Sequence, residues 1–186
     1  MATPGDTSAS FCATLVDEWI RQGVTHAVVA PGSRSTPLAV AIARRSELSL
    51  HVFHDERSAG FAALGIGRAS GNPAVLLCTS GTAAAHFVAP VVEANQSRVP
   101  MIVCTADRPP ELRDVAAPQT IDQTKLFGAN VRWFHDPGAP ADDARHSWRS
   151  LARRALAASV GTLPGPVHLN LPFREPLLGE PGELPA

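Results

Sequence analysis

This chain of 186 residues is poor in cysteine, in lysine and in net charge, and each scarcity narrows what it can be. Its three cysteines, Cys12, Cys78 and Cys104, stand far apart, each within an apolar pattern. That arrangement offers neither a disulfide framework nor a spaced zinc site; it reads as small buried hydrophobes in a reducing compartment. A net charge of −1 argues against a nucleic-acid or membrane-surface role. No apolar run approaches the roughly 20 residues of a membrane-spanning helix. Residues 1–10 carry no basic patch or apolar run of the kind found in a signal peptide. A soluble, cytoplasmic protein is the expectation. Lysine occurs once, as Lys125, among sixteen basic residues. Arginine is the better fork for carboxylates and phosphates, though a GC-rich genome produces the same bias.

Several catalytic signatures are missing as well. No Gly-x-Gly-x-x-Gly follows the first predicted strand, and Gly65-Ile66-Gly67 lies inside a predicted helix, so a dinucleotide fingerprint is unsupported. There is no P-loop, no Gly-x-Ser-x-Gly elbow and no His-Glu-x-x-His. The histidines, including His54 and His86, lack metal-ligand spacing with acidic partners and are read as structural.

Apolar residues make up 45% of the chain and charged residues 18%, enough at this length for one well-cored domain. Phe11, Leu15, Val16, Trp19 and Ile20 recur at helical spacing and predict an amphipathic helix over residues 7–22, ended by Gly23. A short β-rich run, 27–30, is closed by Pro31-Gly32. A helix over 36–45 and a buried strand over 48–53 come next, then a helix over 56–70 that stops at Gly71-Asn72-Pro73. The pattern repeats with a strand over 74–79, a helix over 82–95 distorted at Pro90, and a strand over 99–105. Further on, the spacing predicts a strand over 130–134, a helix over 142–160 with Asp142 or Asp143 near its N-cap, and a last strand over 167–171. Such alternation implies an α/β fold, a mainly parallel sheet with helices on both faces. From Glu175 onward Pro176, Gly179, Pro181, Gly182 and Pro185 read as a linker.

The unusual polar residues follow the strands. They are Pro31-Gly32-Ser33-Arg34-Ser35-Thr36, then His54-Asp55-Glu56-Arg57-Ser58, then Thr79-Ser80-Gly81-Thr82, then Ala106-Asp107-Arg108-Pro109-Pro110-Glu111-Leu112-Arg113. In a parallel sheet these four cassettes emerge at one edge, where open α/β sheets bind ligands. Each has a plain structural reading as a turn or helix cap. Arg34 is less easily explained so, because a helix N-terminus already carries partial positive charge. Hydroxyls, backbone donors and an arginine together suit an anion. Glu56 has two readings, an acidic residue favoured by the helix dipole or a carboxylate set at the ligand edge. Behind it Ala59, Ala63 and Gly65 make a helix that another backbone can approach closely.

The run Glu56-x-x-Ala59-x-x-x-Ala63-x-Gly65-x-x-Arg68 resembles the pyrimidine-binding domain of thiamine-diphosphate enzymes. Pro-Gly-Ser-Arg-Ser at 31–35, Asp-Glu-Arg-Ser-Ala-Gly-Phe at 55–61, Thr-Ser-Gly-Thr at 79–82 and Ala-Asp-Arg-Pro-Pro-Glu-Leu-Arg at 106–113 narrow the likeness. With Gln-Thr-Ile-Asp-Gln at 119–123 and Phe-Arg-Glu-Pro-Leu at 173–177, the chain is similar throughout to the 2-succinyl-5-enolpyruvyl-6-hydroxy-3-cyclohexene-1-carboxylate synthases of menaquinone biosynthesis.

The resemblance implies a transferase that decarboxylates 2-oxoglutarate and adds the succinyl-semialdehyde unit to isochorismate, using thiamine diphosphate with Mg2+ or Mn2+. It implies that Glu56 is the catalytic glutamate hydrogen-bonded to the aminopyrimidine ring. Thr79, Ser80, Gly81 and Thr82 are then on the cofactor's pyrimidine side, and Ser33, Arg34, Arg108 and Gln119 on the substrate side. Pro118 departs from the asparagine usual before that glutamine; it lacks an N–H and fixes its own backbone, which bears on how Gln119 is placed. The resemblance also implies that residues 1–175 form the pyrimidine-binding domain and 176–186 start an interdomain linker. The central and diphosphate-binding domains, with the metal ligands, are then absent from this chain. Such enzymes are homodimers or dimers of dimers with the site shared between subunits, so the chain alone is expected to be inactive.

Two other readings stay open. A different thiamine-diphosphate 2-oxo-acid decarboxylase or carboligase shares the logic of Glu56 but leaves Pro-Gly-Ser-Arg-Ser and the Asp-Arg-Pro-Pro loop unexplained. A non-catalytic small-anion-binding domain would need Arg34 and Arg108 but not Glu56.

Overall fold

The computed structural model describes residues 2–185. Helix α1 spans Pro4–Arg21 and begins three residues before the predicted start. The reason is a reciprocal cap: the Thr3 hydroxyl accepts from the Asp6 amide at 3.2 Å, and the Asp6 carboxylate accepts from the Thr3 amide at 3.0 Å. Strand β1 (His26–Val29) leads through a 3-10 turn at Ser33–Ser35 into α2 (Thr36–Ala43). Strand β2 (Ser49–Val52), α3 (Glu56–Ser70) and β3 (Ala74–Cys78) follow. After α4 (Thr82–Ala85) and α5 (Val88–Gln96) come β4 (Met101–Asp107), β5 (Phe134–His135), α6 (Trp148–Val160) and β6 (Pro166–Pro172).

The six strands form one sheet in the order β2-β1-β3-β4-β6-β5, parallel at every pairing. This is the expected α/β fold with helices on both faces. Helices α1, α2 and α6 cover one face around Phe11, Leu15, Trp19, Ile42, Trp148 and Leu169. Helices α3 and α5 cover the other around Ala63, Phe87, Val91, Met101 and Val103. Each large side chain buried in these layers contributes ~1.5–3 kcal/mol. The cysteines are all free and buried, as their apolar settings imply. Among the described residues no helix is long and apolar enough to cross a membrane.

Four expectations need correction. The strand at 48–53 is not buried along its length: β2 lies at the sheet edge with one neighbour, so Leu50 and Val52 are exposed, while Leu48 is buried in one core layer and Phe53 packs partly buried against the other. The helix at 82–95 is broken at His86 and Phe87, not at Pro90 itself. A proline ring collides with the carbonyl four residues earlier, here that of His86, so Pro90 is accommodated in the first turn of a new helix. The strand at 130–134 becomes a 3-10 turn over Gly128–Asn130 and a two-residue β5. Residues Asp142–Ser147 form a 3-10 turn, neither aspartate caps it, and α6 proper starts at Trp148.

The small residues of α3 are mostly spent inside the fold. Ala59 and Ala63 are buried against the sheet, and Gly60 sits so close to Pro90 that a Cβ there would lie 2.4 Å from its ring. Gly67 lies equally close to the Pro100 carbonyl, while Gly65 faces open space. After β6 the chain runs back along α1. The Asp6 carboxylate accepts from the Glu180 amide, Ser10 Oγ accepts from the Gly182 amide, and Arg44 forks onto Glu180.

Candidate active site

Because every strand is parallel, the loops after β1, β2, β3, β4 and β6 emerge at one edge, and all the predicted site residues lie on them. After β1, Ser35 Oγ donates to the Gly32 carbonyl and accepts from its amide, folding the loop tightly. Gly32 then approaches Thr79 so closely that a Cβ would sit 2.5 Å from Thr79 Cβ, which joins the first and third loops. Ser33 is exposed beside them. Arg34 is 5% exposed, and its guanidinium donates to the Phe173 carbonyl at 2.9 Å and to Glu175 Oε1 at 3.0 Å. Its Nε is buried without a partner.

After β2, Asp55 caps α3, accepting from the amides of Arg57 at 2.8 Å and Ser58 at 3.3 Å. The Arg57 side chain and these amides hold the Asp55 carboxyl below its ordinary range. The helix-end role is therefore taken by Asp55. The half-buried Glu56 carboxylate has no hydrogen-bond partner among the described residues. It lies close to the end of β3: burial, and then Glu56, push the Cys78 thiol well up.

The third and fourth loops are interlocked. Gly81, at φ 81° and ψ −145°, donates its amide to Gln123 Oε1 at 2.8 Å. Gln123 Nε2 donates to the Ala106 carbonyl and to Asn170 Oδ1. Ser80 Oγ accepts from Arg108 Nη1, and Arg108 Nη2 donates to the Pro118 carbonyl. Gln119 lies across this loop with its Nε2 on the Ser80 carbonyl. Burial, then the positive charge of Arg34, lower the proton affinity of Arg108. A cleft lined by Arg34, Pro109, Glu111, Leu112, Arg174 and Glu175 opens beside them.

Beneath the edge runs a buried polar network. Asn170 Nδ2 donates to Asp107 and Asp136, and Arg113 bridges the same two carboxylates. Burial raises the Asp107 carboxyl. Thr105 gives its only proton to Asn170 Oδ1, so His168 Nε2 must donate to Thr105 Oγ1. His168 Nδ1 then carries a lone pair with no partner, and burial holds this histidine at about 3.

The structure thus brings Ser80, Gly81, Arg108 and Gln119 into contact and sets Gly32 of the first loop against Thr79; Arg34 is held separately on Phe173 and Glu175, Glu56 is on the adjoining loop, and Ser33 and Thr82 are exposed at the rim. Sequence reasoning missed Gln123, Asn170, Asp136 and Glu175. His168 and Asn170 had a signal: polar residues inside an otherwise apolar strand need partners. Among the described residues three polar groups on the loops of this edge lack partners: the Glu56 carboxylate, the buried Thr79 Oγ1 and the buried Arg34 Nε. A heteroaromatic ring with donors and acceptors along one side fits the first two. Among the described residues no three His, Cys, Asp or Glu side chains are grouped to hold a metal ion.

Residues 10–126 match the family model described as thiamine pyrophosphate enzyme, N-terminal TPP binding domain. A protein of Thermobifida fusca is 55% identical over 96% of this chain and 32% of its own length. One from Geobacillus kaustophilus is 53% identical over 93% of this chain and 30% of its own length. One from Haloquadratum walsbyi is 48% identical over 100% of this chain and 30% of its own length. All three bear the name 2-succinyl-5-enolpyruvyl-6-hydroxy-3-cyclohexene-1-carboxylate synthase, and the chain spans about a third of their length. With more than half of its residues matched by the family model, the chain belongs to the thiamine pyrophosphate enzymes as their N-terminal TPP-binding domain.

Proposed function

We propose that this chain is the pyrimidine-side domain of a synthase that decarboxylates 2-oxoglutarate and adds the resulting succinyl-semialdehyde unit to isochorismate, the reaction its sequence motifs imply and one consistent with relatives named for a succinyl-bearing cyclohexene carboxylate. The observation that carries the reading is the shared edge. Glu56, without a hydrogen-bond partner among the described residues, stands there with Arg34 and Arg108, which come from two other loops of the same edge.

Thiamine diphosphate, when bound, supplies the carbon nucleophile that attacks a 2-oxo acid. The chain's own part is to orient and to hold protons. Glu56 would hydrogen-bond a pyrimidine ring nitrogen and exchange a proton there, which its freedom from protein partners permits. Thr79, Gly81 and Thr82 would border the same ring, with the Thr79 hydroxyl gaining the partner it lacks. Both substrates are dicarboxylates and need cationic forks. Arg108, Arg34, Ser33 and Gln119 would meet them, and a substrate carboxylate would replace Glu175, which is 72% exposed on the Arg34 guanidinium. The ligands for Mg2+ or Mn2+, the diphosphate grip and the second half of the site would come from residues outside this chain, in a cytoplasmic homodimer or dimer of dimers.

In the complete enzyme, Glu56→Gln is expected to lower kcat ~10²–10⁴-fold, the usual share of a positioned acid–base group. Product formation from 2-oxoglutarate with isochorismate as acceptor, compared with pyruvate as acceptor, is the measurement. Full turnover by Glu56→Gln, or pyruvate as the preferred acceptor, would overturn the reading.

A further inference from the structure

We propose that Ser80 is a positioning residue for the substrate-side groups Arg108 and Gln119, and that it does not touch the cofactor; this rests on the function proposed above. Ser80 is fully buried, and the polar atoms of its side chain and carbonyl are already engaged. Its Oγ accepts from Arg108 Nη1 at 2.8 Å and donates to the Gln119 carbonyl at 3.1 Å. Its own carbonyl accepts from Gln119 Nε2 at 3.0 Å. Arg108 Nη2 donates to the Pro118 carbonyl at 3.1 Å, which closes a ring running Ser80, Arg108, Pro118, Gln119 and back.

The ring has a fixed floor. Gln123 takes the Gly81 amide and is tied in turn to β4 and β6, so the loop carrying Ser80 cannot retreat. Only glycine suits position 81, because a Cβ there would lie 2.9 Å from Gln119 Cγ and 3.0 Å from its carbonyl oxygen, at φ 81°. Gln119 itself is held at φ 55°, a conformation that side-chain-bearing residues seldom adopt. Its bonds to Ser80 oppose relaxation of that backbone. Pro118 contributes only a carbonyl, so the lack of an N–H at that position leaves the ring intact.

Removing the Ser80 hydroxyl would strip Arg108 Nη1 of its acceptor and the Gln119 carbonyl of its donor. The guanidinium would lose its fixed direction, and substrate carboxylates would lose a pre-set fork. In the complete enzyme, Ser80→Ala is expected to raise KM for a dicarboxylate substrate ~10-fold or more, the effect of losing one charge-assisted hydrogen bond. Half-saturation by thiamine diphosphate should move by less than ~2-fold. In an Arg108→Ala background the added effect of Ser80→Ala should nearly vanish, since the two act as one unit. A cofactor affinity weakened tenfold with substrate KM unchanged would overturn the proposal, as would full additivity with Arg108→Ala. If Ser80→Ala does not fold, Ser80→Cys makes the same comparison with a weaker hydrogen-bonding group of similar shape. Glu56→Gln separates the two levels of argument. If it is inactive while Ser80→Ala leaves KM unchanged, this inference alone falls; if Glu56→Gln is fully active, the function itself falls.

Discussion

Asp55 and Glu56, neighbours at the start of α3, have different surroundings. Asp55 accepts from two of the first amides of α3 and pairs with Arg57, so the helix-end role does not fall to Glu56. That division was not legible in the sequence, where either acid could be the cap, yet the position of Glu56 after a strand was. Gln123 and Asn170 were less legible, because a side-chain amide declares its chemistry but not its partners. His168 yields a pH prediction. Its folded value is about 3, below the ~6.5 of an unfolded histidine. The unfolded chain therefore takes up a proton that the folded one refuses, so the stability this neutral histidine contributes is fully present above pH ~6.5 and is lost as pH falls towards 3, at up to ~1.4 kcal/mol per pH unit. Asp107 works the other way: its raised value means that its effect grows less favourable as pH rises above the ordinary carboxylate range. Thermal melts of His168→Gln between pH 4 and 7 should show a shallower acid limb than the wild type, and equal slopes would refute the assignment.

At the scale of elements, strands and helices were legible wherever burial or periodicity governed them. Strand β3, buried along its whole length, matched its apolar run to within a residue, whereas the equally buried β4 lies two residues later than its predicted span of 99–105 and takes in Ala106 and Asp107. Strand β2 was misjudged as buried because an apolar run does not reveal which strand ends up at an edge. The division of α4 from α5 followed from proline, but its place depended on the carbonyl a turn earlier. Helix α3 separates two kinds of small residue, and the difference is measurable. A Cβ at Gly67 would sit 2.6 Å from the Pro100 carbonyl oxygen and 2.8 Å from Val99 Cγ1. Gly67→Ala is thus expected to destabilise by ~1–3 kcal/mol through overpacking. Gly65 meets nothing within 4 Å, so Gly65→Ala in the same helix should stabilise by ~0.5–1 kcal/mol. Denaturant melts of the two variants test this; equal effects of one sign would show that α3 does not pack as described.

For the whole molecule, the parallel sheet turns an ordering in sequence into a meeting in space. Four polar cassettes spread from residue 31 to residue 113 converge only because each strand points the same way. Alternation of helix and strand made that much readable, whereas the order β2-β1-β3-β4-β6-β5, which sets which loops touch, depends on packing that no single segment encodes. The return of residues after β6 along α1, fixed by Asp6, Ser10 and Arg44, was equally hidden. The converging loops carry a carboxylate without a hydrogen-bond partner among the described residues and two arginines, Arg34 and Arg108. The chain spans about a third of the length of its relatives. The 186-residue chain, supplied with thiamine diphosphate and Mg2+ or Mn2+, is therefore expected to release no carbon dioxide from 2-oxoglutarate above the uncatalysed rate. Its circular dichroism should nonetheless report a folded α/β domain, since both faces of the sheet are covered by its own helices. Measurable turnover by this chain would mean that the second half of the site is not required, and the shared-site reading would be wrong.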